Sequence, residues 1–116
     1  MRTVTLSPEG VWDGGPEGYR GQFIFTDTHY CGLFTAIDRD PIQADSPSVE
    51  QEAEAFRSLM AGAGTYSVEG STMTLSTDHD RIPRPKYTSH WDMDLEGKTL
   101  RLTSPSGRVW TLRRLA

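Results

Sequence analysis

A single helical segment breaks an otherwise continuous succession of short strands, and this interruption restricts the fold more than any other feature. Between Ser46 and Ala61, Val49, Ala53, Phe56 and Met60 recur at helical spacing and give the segment one apolar face. Two start signals compete: Ser46 as N-cap with Pro47 at the first helical position, or Ser48 with Gln51 as a capping box one step later. Glu50, Glu52 and Glu54 crowd the early turns, where the helix dipole favours them, and Gly62 and Gly64 are expected to stop the helix. Three strands are expected before it, at 2–6, 22–26 and 30–37, with a Gly- and Pro-rich loop from Ser7 to Gly18. Five are expected after it, at 65–68, 72–77, 87–93, 99–103 and 109–113, as an antiparallel meander with Glu69-Gly70 and Glu96-Gly97 as tight turns. Eight strands in 116 residues predict one mainly β domain. The expected architecture is an eight-stranded antiparallel barrel with one helix inserted after the third strand as plug or lid. A barrel of that size holds either packed side chains or one small ligand.

Composition narrows the partners. The net charge is −4, and Arg113-Arg114 is the sole adjacent basic pair, which argues against nucleic acid. No apolar run of membrane length and no signal peptide is read, so a cytoplasmic protein with no membrane partner is expected. The one cysteine, Cys31, makes no internal disulfide and has no His or basic neighbour in sequence, which favours a buried, inert thiol. His29 falls in a turn, where solvation is expected. No phosphate loop, nucleophile elbow or paired zinc motif occurs, and neither a metal nor a cofactor is expected.

Strand alternation divides candidate interior from exterior. Tyr87, Ser89, Trp91 and Met93 share one face, and their aromatic area assigns it to the interior. Thr88, His90 and Asp92 share the other. Tyr66 with Val68, Leu100 with Leu102, and Trp110 with Leu112 are read inward. Met73, Leu75 and Thr77 share a face that extends to His79. In the 22–26 strand either Phe23 with Phe25 or Ile24 points in, and the 30–37 strand is apolar on both faces, so its register is open. Phe23, Phe25, Phe34, Phe56, Met60, Met73, Leu75, Ser89, Trp91, Met93, Leu102 and Trp110 are the candidate ligand-binding set. The same rings could instead simply fill the barrel. Tyr87 and Tyr66 are candidate hydrogen-bond donors to a ligand carbonyl, and His79 a candidate acid or base at the barrel mouth. Asp78 and Asp80 flank His79 but point to the opposite face of a regular strand, which argues against a His–Asp dyad.

Several segments in order resemble the bacterial lipocalin-like domain proteins, which are small calycin-type barrels with a helix after the third strand. They are Gly21-Gln22-Phe23-Ile24-Phe25-Thr26, Tyr30 through Asp38-Arg39-Asp40-Pro41, Glu52-Ala53-Glu54-Ala55-Phe56, Gly64-Thr65-Tyr66-Ser67-Val68-Glu69-Gly70, and Leu95-Glu96-Gly97-Lys98-Thr99-Leu100-Arg101-Leu102-Thr103. Two departures stand out. The family's opening Gly-x-Trp strand is not found before Val4, so the first strand is read as short, displaced or partly missing. The strand after the Glu-Gly turn, Met73-Thr74-Leu75-Ser76-Thr77, lacks the His residues many members carry there.

The resemblance implies ligand carriers or cofactor-free cyclases and isomerases. The expected function is binding of a small hydrophobic, cyclic organic molecule of polyketide or terpenoid type, with cofactor-free isomerisation or cyclisation as a further step. In that picture Phe56 and Met60 of the helix cap the open end. Two alternatives stand beside it: a non-catalytic carrier, and a solid-core interaction module that forms a homodimer through a bare edge at a short first strand.

Overall fold

The computed structural model describes residues 7–39 and 46–115. Eight strands follow in chain order: β1 Gly10–Pro16, β2 Tyr19–Phe25, β3 His29–Ala36, β4 Leu59–Glu69, β5 Thr72–Asp80, β6 Tyr87–Glu96, β7 Thr99–Thr103 and β8 Val109–Arg114. The helix α1, Val49–Arg57, lies between β3 and β4. Every strand pairs antiparallel with its sequence neighbours, and β1 also pairs with β8, so the sheet closes into a barrel.

The first strand is displaced from its expected place. The 2–6 segment lies outside the described residues, and β1 forms from the stretch read as a loop. Its glycines and Pro16 hid the pattern, because a glycine contributes no side chain to an alternation. β1 opens on Gly10-Val11-Trp12, a Gly-x-Trp sequence that lies after Val4 rather than before it. Closure also removes the bare edge invoked by the homodimer alternative, since β1 is hydrogen-bonded on both sides.

Glycine allows the strands to cross tightly enough for closure. A β carbon on Gly21 would lie 1.9 Å from the Leu33 carbonyl oxygen, and one on Gly64 would lie 1.9 Å from the Ser76 carbonyl oxygen. Neither space admits a side chain, which is the signature of a barrel corner.

The helix is shorter than expected. Ser48 is its N-cap: the Ser48 hydroxyl accepts from the Gln51 N–H, and the Gln51 side chain accepts from the Ser48 N–H at 2.8 Å. The capping box therefore prevails over Ser46. Ser58 closes the helix, and Leu59 already belongs to β4. Gly62 and Gly64 thus do not end a helix but sit in a strand, opposite Gly32 and Tyr30. No residue of α1 is buried, and Val49 is 76% exposed. The helix is tethered at its side by Arg39, which donates to the Ala55 carbonyl, and by Arg81, which donates to the Phe56 carbonyl at 2.6 Å.

The core fills the barrel from one end. Trp12 is fully buried, its indole N–H donates to the Pro8 carbonyl at 2.6 Å, and the Arg114 guanidinium covers its ring at 4.5 Å. Arg114 also donates to the Glu9 carbonyl at 2.8 Å and so ties the incoming chain across this end. Phe25, Met73, Met93, Leu100, Leu102 and Leu112 pack in the same core, with Leu95, Tyr66 and Val68 partly buried against it. The longer connections lie at the other end: the β3–α1–β4 excursion, the β5–β6 loop and the β7–β8 turn.

Candidate ligand cavity

Alternation in β2 and β3 is resolved by burial. Phe23 and Phe25 point in and Ile24 points out; Tyr30, Gly32 and Phe34 point in, while Cys31 and Leu33 point out. Cys31 is exposed, contrary to the buried thiol expected from sequence, because the even residues of β3 take the interior. Phe23, Phe34, Trp91 and Trp110 form a cluster of edge-to-face and tilted rings with centroids 4.9 to 5.6 Å apart. Aromatic quadrupoles favour these geometries over face-to-face stacking.

The cluster does not fill its end of the barrel. A cavity of about 130 Å³ remains, open on one side to solvent. Phe23, Phe34, Met60, Leu75, Ser89, Trp91 and Trp110 line it, together with Tyr30, Thr77 and Tyr87. Two glycines leave the room: Gly32 lies directly over the Phe23 ring, and Gly62 faces the Tyr30 hydroxyl. A β carbon on Gly32 would lie 2.6 Å from Phe23, whereas one on Gly62 would meet nothing nearer than 3.6 Å.

One wall of the cavity is polar. The Tyr30 and Thr77 hydroxyls are hydrogen-bonded to each other. Thr77 stands across the β5–β6 ladder from Tyr87, and the Tyr87 hydroxyl donates to Asp80 Oδ2 at 2.7 Å. The other Asp80 oxygen accepts from the Ile82 N–H at 3.0 Å. On the same strand as Tyr87, the Trp91 indole N–H donates to Ser89 Oγ at 2.9 Å. The buried Trp110 indole N–H has no acceptor among the described residues.

The electrostatics keep these phenols protonated. Burial raises the Tyr30 phenol above its ordinary value; the Thr77 bond offsets part of this, and Tyr87, Asp80 and Asp78 add to it. Burial also raises Tyr87, followed by its bond to Asp80, while Thr77 and Arg84 pull the other way. Burial pushes the Asp80 carboxyl up, but the Ile82 N–H, the Tyr87 hydroxyl and the Arg84 and Arg81 guanidiniums outweigh it, so the group lies below its ordinary value. At neutral pH the wall presents neutral hydroxyls anchored on one ionised carboxylate.

The expected site residues separate into three groups: at the cavity, in the packed core, and outside both. Phe23, Phe34, Met60, Leu75, Tyr87, Ser89, Trp91 and Trp110 converge on the cavity. Phe25, Met73, Met93 and Leu102 belong to the packed core. Phe56 lies outside the cavity, 44% exposed, with the Arg81 guanidinium 4.8 Å from its ring centroid. Tyr66 donates to the Thr26 carbonyl and packs on Phe25, near the β2–β3 turn and away from the cavity mouth. His79 is displaced from the interior. The β4–β5 register shifts between Ala63 and Gly64, so that Gly64 opposes Thr77 and Ala63 opposes His79. Asp78 is the extra residue, a β-bulge. It leaves His79 outside, with its side chain 84% exposed, and gives the interior position to Asp80. Tyr30, Thr77 and Asp80 were not anticipated as site residues. Tyr30 lay in the strand of open register, and Asp80 lay beyond a bulge that sequence alternation does not reveal.

No helix of the described residues is long and apolar enough to cross a membrane, and no cluster of His, Cys, Asp and Glu among them could hold a metal ion. No family model, no curated protein and no solved structure matches the chain.

Proposed function

We propose that this protein binds a small, flat, apolar organic molecule inside the barrel, as the lipocalin-like domain proteins it resembles would. The closed barrel, the helix after β3 and the Gly10-Val11-Trp12 opening support that affiliation. The single observation that carries the reading is a cavity of about 130 Å³ between four aromatic rings and a wall of neutral hydroxyls. Ligand sites are mostly apolar with a few placed polar groups. The volume approaches the roughly 150 Å³ of an engineered apolar cavity that takes up benzene. It suits one ring, which favours the smallest cyclic members of the polyketide or terpenoid types expected from sequence. Binding rather than turnover is the better reading, because Tyr66 and His79, two of the three groups expected to act on a ligand, lie away from the cavity.

The test is a titration of the protein with toluene and phenol, read by the emission of Trp91 and Trp110 and by thermal stability. A saturable change in emission and a raised Tm are expected. Gly62→Ala, which places a methyl group in the cavity, is expected to weaken both by about tenfold in ligand concentration, in line with the steep cost of overfilling a packed space. Unchanged emission and Tm at saturating toluene and phenol would sink the proposal.

A further inference from the structure

The hydroxyls along β5 and β6 are ordered by the group at their end. An ionised carboxylate has no proton to give, so the bond between Tyr87 and Asp80 Oδ2 runs from the phenol to the acid. The Tyr87 oxygen then has lone pairs to offer and no proton left. Thr77 stands directly opposite on β5; its Oγ1 is bonded to the Tyr30 hydroxyl, and it pulls the Tyr87 phenol down as a donor to that oxygen does. Thr77 carries one proton. Given toward Tyr87, it obliges Tyr30 to give its own proton to Thr77. In that arrangement the row runs from Tyr30 to Thr77 to Tyr87 to Asp80, and Thr77 and Tyr87 each accept from one neighbour and donate to the next. Chains of this kind polarise one another and strengthen as a unit. The consequence falls on the far end: Tyr30 Oη has spent its proton and faces the cavity as an acceptor. It lies beside Gly62, where a β carbon would stand 3.6 Å away, so the space before it is clear of side chain.

Resting on the cavity as a ligand site, we infer that the barrel selects single-ring molecules that donate a hydrogen bond, such as phenols, anilines and pyrrole-type N–H compounds, over single-ring molecules that only accept one. Asp80 sets this preference without touching the ligand; it is a positioning residue acting through Tyr87 and Thr77. Sites built around a buried polar group reject analogues that leave it unpaired far more strongly than they reject a change of bulk.

The experiment is a binding comparison of phenol, anisole and toluene by calorimetry. Wild type is expected to prefer phenol to anisole by about tenfold or more. Asp80→Asn supplies an amide that can donate to Tyr87 and let the row reverse, so the ratio is expected to fall to about twofold or less, with anisole gaining. Thr77→Val cuts the row elsewhere and leaves Asp80 intact; it is expected to erase the preference while toluene affinity holds. A merely structural Asp80 would lower all three affinities together and keep their ratio, and that result overturns the inference. Equal phenol and anisole affinities in wild type with toluene bound overturn it as well and leave the cavity reading standing. Failure of wild type to bind any of the three overturns both.

Discussion

Tyr87 donates its hydroxyl proton to Asp80 Oδ2 at 2.7 Å across the opening of the β5–β6 loop, and one inserted residue brings the pair together. In a regular β5 strand the residue two beyond Thr77 would face inward, and that residue is His79. The bulge at Asp78 passes the position to Asp80. Asp80→Ala is therefore expected to destabilise the fold by about 1–2 kcal/mol, the scale of a lost hydrogen bond to a charged group with partial solvent access. His79→Ala is expected to stay within about 0.5 kcal/mol of wild type, as exposed substitutions do. Urea unfolding of both variants decides it; equal losses would place the two side chains in equivalent surroundings.

Gly62 and Gly64 are two residues apart on β4, yet they predict opposite outcomes. A β carbon at Gly64 would stand 1.9 Å from the Ser76 carbonyl oxygen, which is backbone and cannot turn aside. Gly64→Ala is expected to cost about 3 kcal/mol or more, or to prevent closure of the barrel, because overpacking against a fixed strand forces the backbone to move. Gly62→Ala meets only ordinary contacts from 3.6 Å outward. It is expected to change stability by less than about 1 kcal/mol. Denaturant midpoints for the two variants, measured side by side, would contradict the corner assignment if they moved together.

Trp12 seals the end of the barrel away from the cavity. It is fully buried, and its indole N–H is bonded to Pro8. Trp12→Ala is expected to cost about 3–5 kcal/mol through the void it leaves. Trp12→Phe keeps most of the ring and leaves the Pro8 carbonyl without its donor, for an expected loss of about 1–2 kcal/mol. Circular dichroism followed through chemical denaturation gives both values. A Trp12→Phe protein as damaged as Trp12→Ala would mean that the hydrogen bond, not the packing, holds this end.

Side-chain alternation carried most of the architecture in the sequence, and it failed where side chains are missing or out of step. From β4 onward, apolar residues at every second position marked the interior, and Tyr66, Met73, Leu75, Trp91, Leu102 and Trp110 point to the side expected of them. β1 escaped because Gly10, Gly14 and Gly15 carry no pattern, and the clustered glycines and prolines imitated a loop. β3 is apolar on both faces, so alternation alone does not separate Cys31 from Tyr30; the close packing of Gly32 on Phe23 does. Met60 continues the helical spacing and so predicts a longer helix, although it faces the cavity from a strand. The cavity's polar wall was the least readable part. It joins Tyr30 to Thr77, 47 residues apart, and then crosses a bulge.

Raised phenols, two in this wall and Tyr66 near the β2–β3 turn, make the barrel sensitive to alkali. Tyr30, Tyr66 and Tyr87 are all raised above the ordinary value of 10.0, with burial the leading cause in each. A phenol raised on folding holds its proton more tightly in the native state than in the unfolded one. Its contribution is therefore complete below the unfolded value and declines as pH rises toward the folded value. Above pH 10 the unfolded chain ionises these groups while the barrel resists, so stability is expected to fall steadily with pH. Phenolate absorbance from these tyrosines should grow in step with the loss of near-ultraviolet circular dichroism. Tyr30→Phe and Tyr87→Phe should each flatten the alkaline fall, since a phenyl ring has no proton to lose. Full phenolate absorbance at a pH where the near-ultraviolet signal is still native would show that these hydroxyls face water, and the order ascribed to the wall would not survive it.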